Sequence, residues 1–142
     1  MVEIKNQELG MRRPKLLLLA GTTGVGKSVI ARKLCTESGF QRVISTDSIR
    51  EVLRSTINHL EDPALHRSSF SLGASKSAVP DWIDCCESVE VAVQAVIDRS
   101  RREGISLIVE GVHVLPENRN IRRWQAEGGL CLLYTSDAAD EL

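Results

Sequence analysis

Eight consecutive residues, Gly21-Thr22-Thr23-Gly24-Val25-Gly26-Lys27-Ser28, constrain this chain more than any other stretch. They fit the spacing G-x-x-x-x-G-K-[ST], and each residue type in it has a physical task. Glycines allow positive φ, so bare backbone N–H groups can converge on a polyphosphate. An apolar run, Leu16 to Ala20, leads into the stretch and a helix-like segment leads out of it. A helix starting there adds unpaired N-terminal donors and the positive end of its dipole. Lys27 is suited to reach β- and γ-phosphates, and the Ser28 hydroxyl to ligate Mg²⁺. The candidate nucleotide contacts are therefore Thr23, Gly24, Val25, Gly26, Lys27, Ser28 and Val29, with ATP and Mg²⁺ as the expected cofactors.

A length of 142 residues suits one domain, and 42% hydrophobic with 26% charged residues is a globular composition. Aromatic residues make up only 4%, so Leu, Ile, Val and Ala must build the core. A net charge of −1 gives no basic field for bulk nucleic-acid binding. The apolar run before Gly21 is too short to span a membrane, and no signal-peptide pattern precedes it, so a cytoplasmic setting is expected. Cys35, Cys85, Cys86 and Cys131 form no C-x-x-C pair and read as reduced packing residues. Nothing in the sequence fixes the oligomeric state.

Along the chain, residues 1–14 read as a flexible arm. Lys15 to Ala20 has the continuous apolar character of a central parallel strand buried on both faces. Ser28 to Ser38 shows helical spacing and stops at Gly39. Gln41 to Ser45 predicts a second strand, followed by a helix whose apolar face is Ile49, Val52, Leu53 and Ile57. Residues 58–80 lose periodicity and read as an excursion over the site, with a short helix near His66 to Leu72. A long helix opens at Pro80-Asp81, carries Trp82, Cys86, Val89, Val93 and Val96, and ends in a solvated cluster of Arg99, Arg101 and Arg102. Ile105 to Val109 predicts the third strand, and Pro116 to Glu127 an amphipathic helix.

Three charged groups and one imidazole lie where strands give way to loops, the edge at which ligands bind in open α/β sheets. Asp47 follows the second strand and is read as the base that orients an acceptor hydroxyl; helix capping is the alternative. Arg50, one turn on, suits a phosphate or carboxylate by bidentate bonding, against a surface ion pair. Glu110 ends the third strand, where an acid can hold Mg²⁺ through water; the alternative is a hydrogen-bonded loop anchor. His113 is open between substrate contact and local hydrogen bonding.

Residues 131–141, Cys-Leu-Leu-Tyr-Thr-Ser-Asp-Ala-Ala-Asp-Glu, resemble one translated frame of a transposase-type sequencing-library adapter. On that reading residues 131–142 are a non-native tail and the natural sequence is truncated near Leu130. A fourth strand from Leu130 to Tyr134 is the alternative.

The stretches GTTGVGKS, VISTDSIREVLR and LIVEGVHVLP together resemble the 2-phosphoglycerate kinase family and its P-loop kinase relatives, over roughly residues 15–116. The resemblance implies a P-loop NTPase fold, an α/β three-layer sandwich with a parallel sheet, here partial over residues 15–130. It also implies ATP-dependent phosphorylation of a small anionic substrate, 2-phosphoglycerate. Asp-x-x-Arg placement also resembles polynucleotide 5′-hydroxyl kinases, which leaves that substrate class open. A nucleotide-dependent switch is the rival reading, although no Asp-x-x-Gly occurs between residues 29 and 130.

Overall fold

The computed structural model describes residues 13–21, 26–67, 78–115, 119–126 and 130–136. The elements run β1 (Lys15–Gly21), α1 (Lys27–Glu37), β2 (Arg42–Ser45), α2 (Thr46–Thr56), α3 (Pro63–His66), α4 (Ala78–Arg102), β3 (Leu107–Gly111), α5 (Arg119–Ala126) and β4 (Leu130–Ser136). All strand pairs are parallel and the sheet order is β2-β3-β1-β4. Every strand therefore ends at the same edge.

The apolar run in β1 buries both faces, and its period of two divides the core. Leu16, Leu18 and Ala20 join Leu107, Val109, Val89, Val93, Ile97 and Trp124 on one side. Leu17, Leu19 and Ile108 meet Ala31 on the other, where Ile30, Leu34 and Phe40 pack against them. One side is thus covered by α1, and the other by helices that include α2 and α4. This is the three-layer sandwich expected from the sequence.

Several boundaries differ from the sequence reading. The third strand lies two residues later than expected, which brings Glu110 into the strand itself. Its neighbours on either side are Leu19 and Ser45. The short helix of the 58–80 excursion is at Pro63–His66, before the expected position, because Asp62 caps it and Pro63 starts it; residues 68–77 lie outside the described residues. The arginines closing α4 are not uniformly solvated. Arg101 is largely buried beside Asp98, 3.3 Å away, and Arg123 of α5 reaches the same carboxylate at 3.4 Å. Burial, with Cys85 adjacent, pushes the Cys86 thiol up to about 12, so it stays protonated as a packing group. Leu130 to Ser136, of which residues 131–136 belong to the segment read as an adapter tail, pairs with β1 and fills the sheet edge as a fourth strand.

Candidate functional site

The strand ends converge on the start of α1. Gly26 caps that helix with φ 82° and ψ 16°, and no side chain supplies the cap. An added Cβ at Gly26 would touch nothing within 4 Å, so the glycine is required by its left-handed backbone alone. Lys27 is buried in the first turn. Thr23, Gly24 and Val25 lie outside the described residues. Val29 is in the first turn of α1 and 56% exposed; its amide and that of Ile30 both lie 3.1 Å from the Gly26 carbonyl.

Ser28 and Glu110 meet. The Ser28 hydroxyl donates to Glu110 Oε1 at 3.2 Å, linking the start of α1 to the end of β3 across 82 residues of sequence. Glu110 is only 7% exposed and its strand is buried throughout. A carboxylate in such a place needs compensating polar partners. The pair suits Mg²⁺, which takes one or two protein oxygens and completes its shell with water and substrate phosphate. Among the described residues, no group of three or more His, Cys, Asp or Glu is arranged to hold a metal by protein ligands alone.

Asp47 is in the first turn of α2, but it is not the cap. The Ser45 hydroxyl accepts from the amides of Asp47 and Ser48, at 3.2 and 3.5 Å. The capping reading of Asp47 therefore falls away, and its carboxylate, 67% exposed, is left at the strand edge. His113 Nδ1 stands 3.5 Å from Asp47 Oδ1 and 3.2 Å from Thr46 Oγ1. The His113 side chain is only 2% exposed, so it offers an acceptor no surface. Of the two readings left open for it, local hydrogen bonding is the one the structure carries. Burial lowers the His113 pKa below its ordinary value; Asp47 opposes that shift and Arg50 adds to it.

Arg50 also has protein partners. Its Nε donates to the Leu65 carbonyl at 3.1 Å and its Nη2 to the Arg67 carbonyl. It ties α2 to the α3 segment, which is not the surface ion pair of the alternative reading. A guanidinium has five N–H donors, so these two bonds do not exhaust it.

Sequence reasoning missed the groups that brace this edge. Thr46 is fully buried, and a Cβ on Gly111 would fall 1.8 Å from Thr46 Oγ1. Trp82 Nε1 donates to the Val112 carbonyl at 2.7 Å, pinning α4 to the loop after β3. Arg67 and Asp81 pair at 3.3 Å beside it. A glycine directly after a strand-end acid was the available signal for the first of these contacts. No local pattern marks the other two.

This geometry can be set beside known proteins. No protein-family profile matches the chain. It is 42% identical over 113 residues to the 2-phosphoglycerate kinase of Pyrococcus horikoshii, covering 75% of this chain and 38% of that protein. Against the 2-phosphoglycerate kinase of Thermococcus kodakarensis it is 41% identical over 118 residues, covering 78% and 41%. A 2-phosphoglycerate kinase of Methanothermobacter thermautotrophicus is 37% identical over 114 residues, covering 74% of this chain and 37% of that protein. The chain spans well under half the length of these 2-phosphoglycerate kinases. In structure it is similar to the APS kinase of Mycobacterium tuberculosis, with a TM-score of 0.50 and 20% identity over 89% of this chain and 78% of that one. That likeness is one of fold, a parallel sheet between layers of helices. Among the described residues, no helix is long and apolar enough to cross a membrane.

Proposed function

We propose that this chain carries the phosphate-binding half of a kinase that transfers the γ-phosphoryl of ATP to a hydroxyl of 2-phosphoglycerate. The observation that carries the reading is the Ser28–Glu110 contact, which unites the phosphate-loop helix and the β3 carboxylate in one site. The relatives named 2-phosphoglycerate kinase supply the acceptor.

In this reading the glycine-shaped backbone before α1 and the N-terminal end of that helix bind the β- and γ-phosphates. Lys27 holds a fixed positive charge against the phosphoryl group as negative charge redistributes over its oxygens. Ser28 and Glu110 would hold Mg²⁺, which would neutralise phosphate charge. Asp47 orients the acceptor hydroxyl and takes its proton as the oxygen attacks. Arg50 keeps the α3 segment against α2 and has remaining donors for an anionic acceptor group. Because phosphoryl transfer rests on positioning and charge, these roles suffice in kind. The cytoplasm is the inferred setting, because the reaction proposed draws on ATP as its phosphoryl donor.

The test combines binding and turnover. Calorimetry should show Mg-ATP binding to this chain, weakened in Lys27→Ala. Formation of 2,3-bisphosphoglycerate from 2-phosphoglycerate is measured with the chain as it stands and with the chain extended to the relatives' length. Asp47→Asn should cut kcat by roughly 100-fold or more, with ATP affinity nearly unchanged. Near-normal turnover in Asp47→Asn, or equal ATP affinity in Lys27→Ala, rejects the corresponding role.

A further inference from the structure

Asp47 is the most exposed group of the site, while the ring facing it is among the most buried. An exposed Asp on a helix surface samples several rotamers, and a base that must meet one hydroxyl loses rate with each unproductive one. The His113 ring has no such freedom. It is enclosed, and Thr46, fully buried on α2, stands 3.2 Å from its Nδ1. The close approach of Gly111 to Thr46 holds the start of α2 against the end of β3.

Thr46 Oγ1 can donate to a bare Nδ1 or accept from Nδ1–H, so it is the Asp47 carboxylate that discriminates between the tautomers. A lone pair on Nδ1 would face a carboxylate oxygen 3.5 Å away, setting two acceptors against each other. A proton on Nδ1 removes that conflict: the polar N–H then faces the Asp47 carboxylate at 3.5 Å, an electrostatic contact, while the ring is hydrogen-bonded to Thr46 Oγ1. We propose that His113 is a positioning residue acting through Asp47: its Nδ1–H, braced by Thr46, holds the Asp47 carboxylate at the strand edge in the orientation an acceptor needs. The proposal rests on the reading of Asp47 as the acceptor-orienting base. It gives His113 no contact with either substrate.

Two measurements test it, and the first needs no turnover. Nitrogen-15 spectra of the imidazoles in the 142-residue chain, assigned with His113→Asn, should show His113 neutral with its proton on Nδ1 near neutral pH. Asp47→Ala, a change at an exposed side chain, should move part of that population to the Nε2–H form; Thr46→Val should leave the proton on Nδ1. A proton on Nε2 in the unaltered chain, or a spectrum unmoved by Asp47→Ala, overturns the proposal.

The second measurement is a kinetic split in the chain extended to the relatives' length. His113→Leu should lower kcat by roughly 10- to 100-fold with the acceptor KM unchanged, the range for loss of an orienting partner. His113→Asn, whose amide N–H can replace Nδ1–H, should recover most of the rate. A raised acceptor KM with kcat intact would make His113 a substrate contact and overturn the proposal. Absence of turnover in the unaltered enzyme refutes the kinase reading, while the spectra still decide the His113–Asp47 contact.

Discussion

At the scale of residues, Gly111 does as much for the site as the groups that meet a ligand. Its φ of 152° and the mere 1.8 Å that would separate an added Cβ from Thr46 Oγ1 both exclude a side chain. Gly111→Ala should therefore push α2 from β3 and lower stability by about 2–4 kcal/mol, combining backbone strain with overpacking. Denaturant midpoints check this, and an unchanged midpoint would show that the edge can relax. His113 adds a pH dependence. Its folded pKa is lowered by burial and by Arg50, with Asp47 opposing, so the unfolded chain binds the proton more readily. Stability should be full above about 6.5, the ordinary imidazole value, and fall as pH drops through the window down to the lowered pKa. Urea unfolding across that window should be flatter in His113→Asn than in the unaltered chain.

Elements set these residues in place, and most of the elements were legible because their apolar periods are clean. The Leu run of β1 and the spaced Cys86, Val89 and Val93 of α4 leave few alternatives to a buried strand and an amphipathic helix, although Ile97 is buried where the sequence reading had Val96. The end of β3 was less legible. Apolar character begins at Ile105, but pairing runs from Leu107 to Gly111, because the register with β1 and β2 decides where a strand stops. Glu110 and Ser28, both expected from the sequence at one cation, lie within hydrogen-bond reach of each other; the exact strand end was what the local pattern left open. The cap of α2 was legible only in part: Ser45, Asp47 and Ser48 are all competent, and only the structure assigns the task to Ser45. Ser45→Ala should cost about 1 kcal/mol, measured by thermal unfolding. Asp47→Ala should cost less, since it removes a helix-dipole interaction and no cap. Equal losses would return Asp47 to a structural role.

At the scale of the whole molecule, β1 is the strand on which both core layers and the phosphate loop depend, so what covers its edges matters. β3 pairs with one edge and β4 with the other, the latter from Lys15↔Leu130 to Gly21↔Ser136. Residues 131–136 of β4 fall within the stretch whose sequence resembles a translated adapter, and we propose that the stretch is not native. Such an origin does not prevent pairing. A parallel edge asks for backbone groups and an apolar run, and Leu130 to Tyr134 has one whatever its source. Without it, the backbone N–H and C=O groups on that edge of β1 would be open to solvent or to another chain. Deletion of residues 131–142 should therefore lower stability by about 3 kcal/mol or more, the scale of losing a paired element. It should also raise the tendency to self-associate, read by light scattering alongside the denaturant midpoint. Mg-ATP affinity should change little if the truncated chain stays folded, because the contacts between α1 and β3 lie on the other side of β1 from β4. An unchanged midpoint with no added association would show that the β1–β4 pairing carries no stability and that the segment is an appendage to a three-stranded sheet.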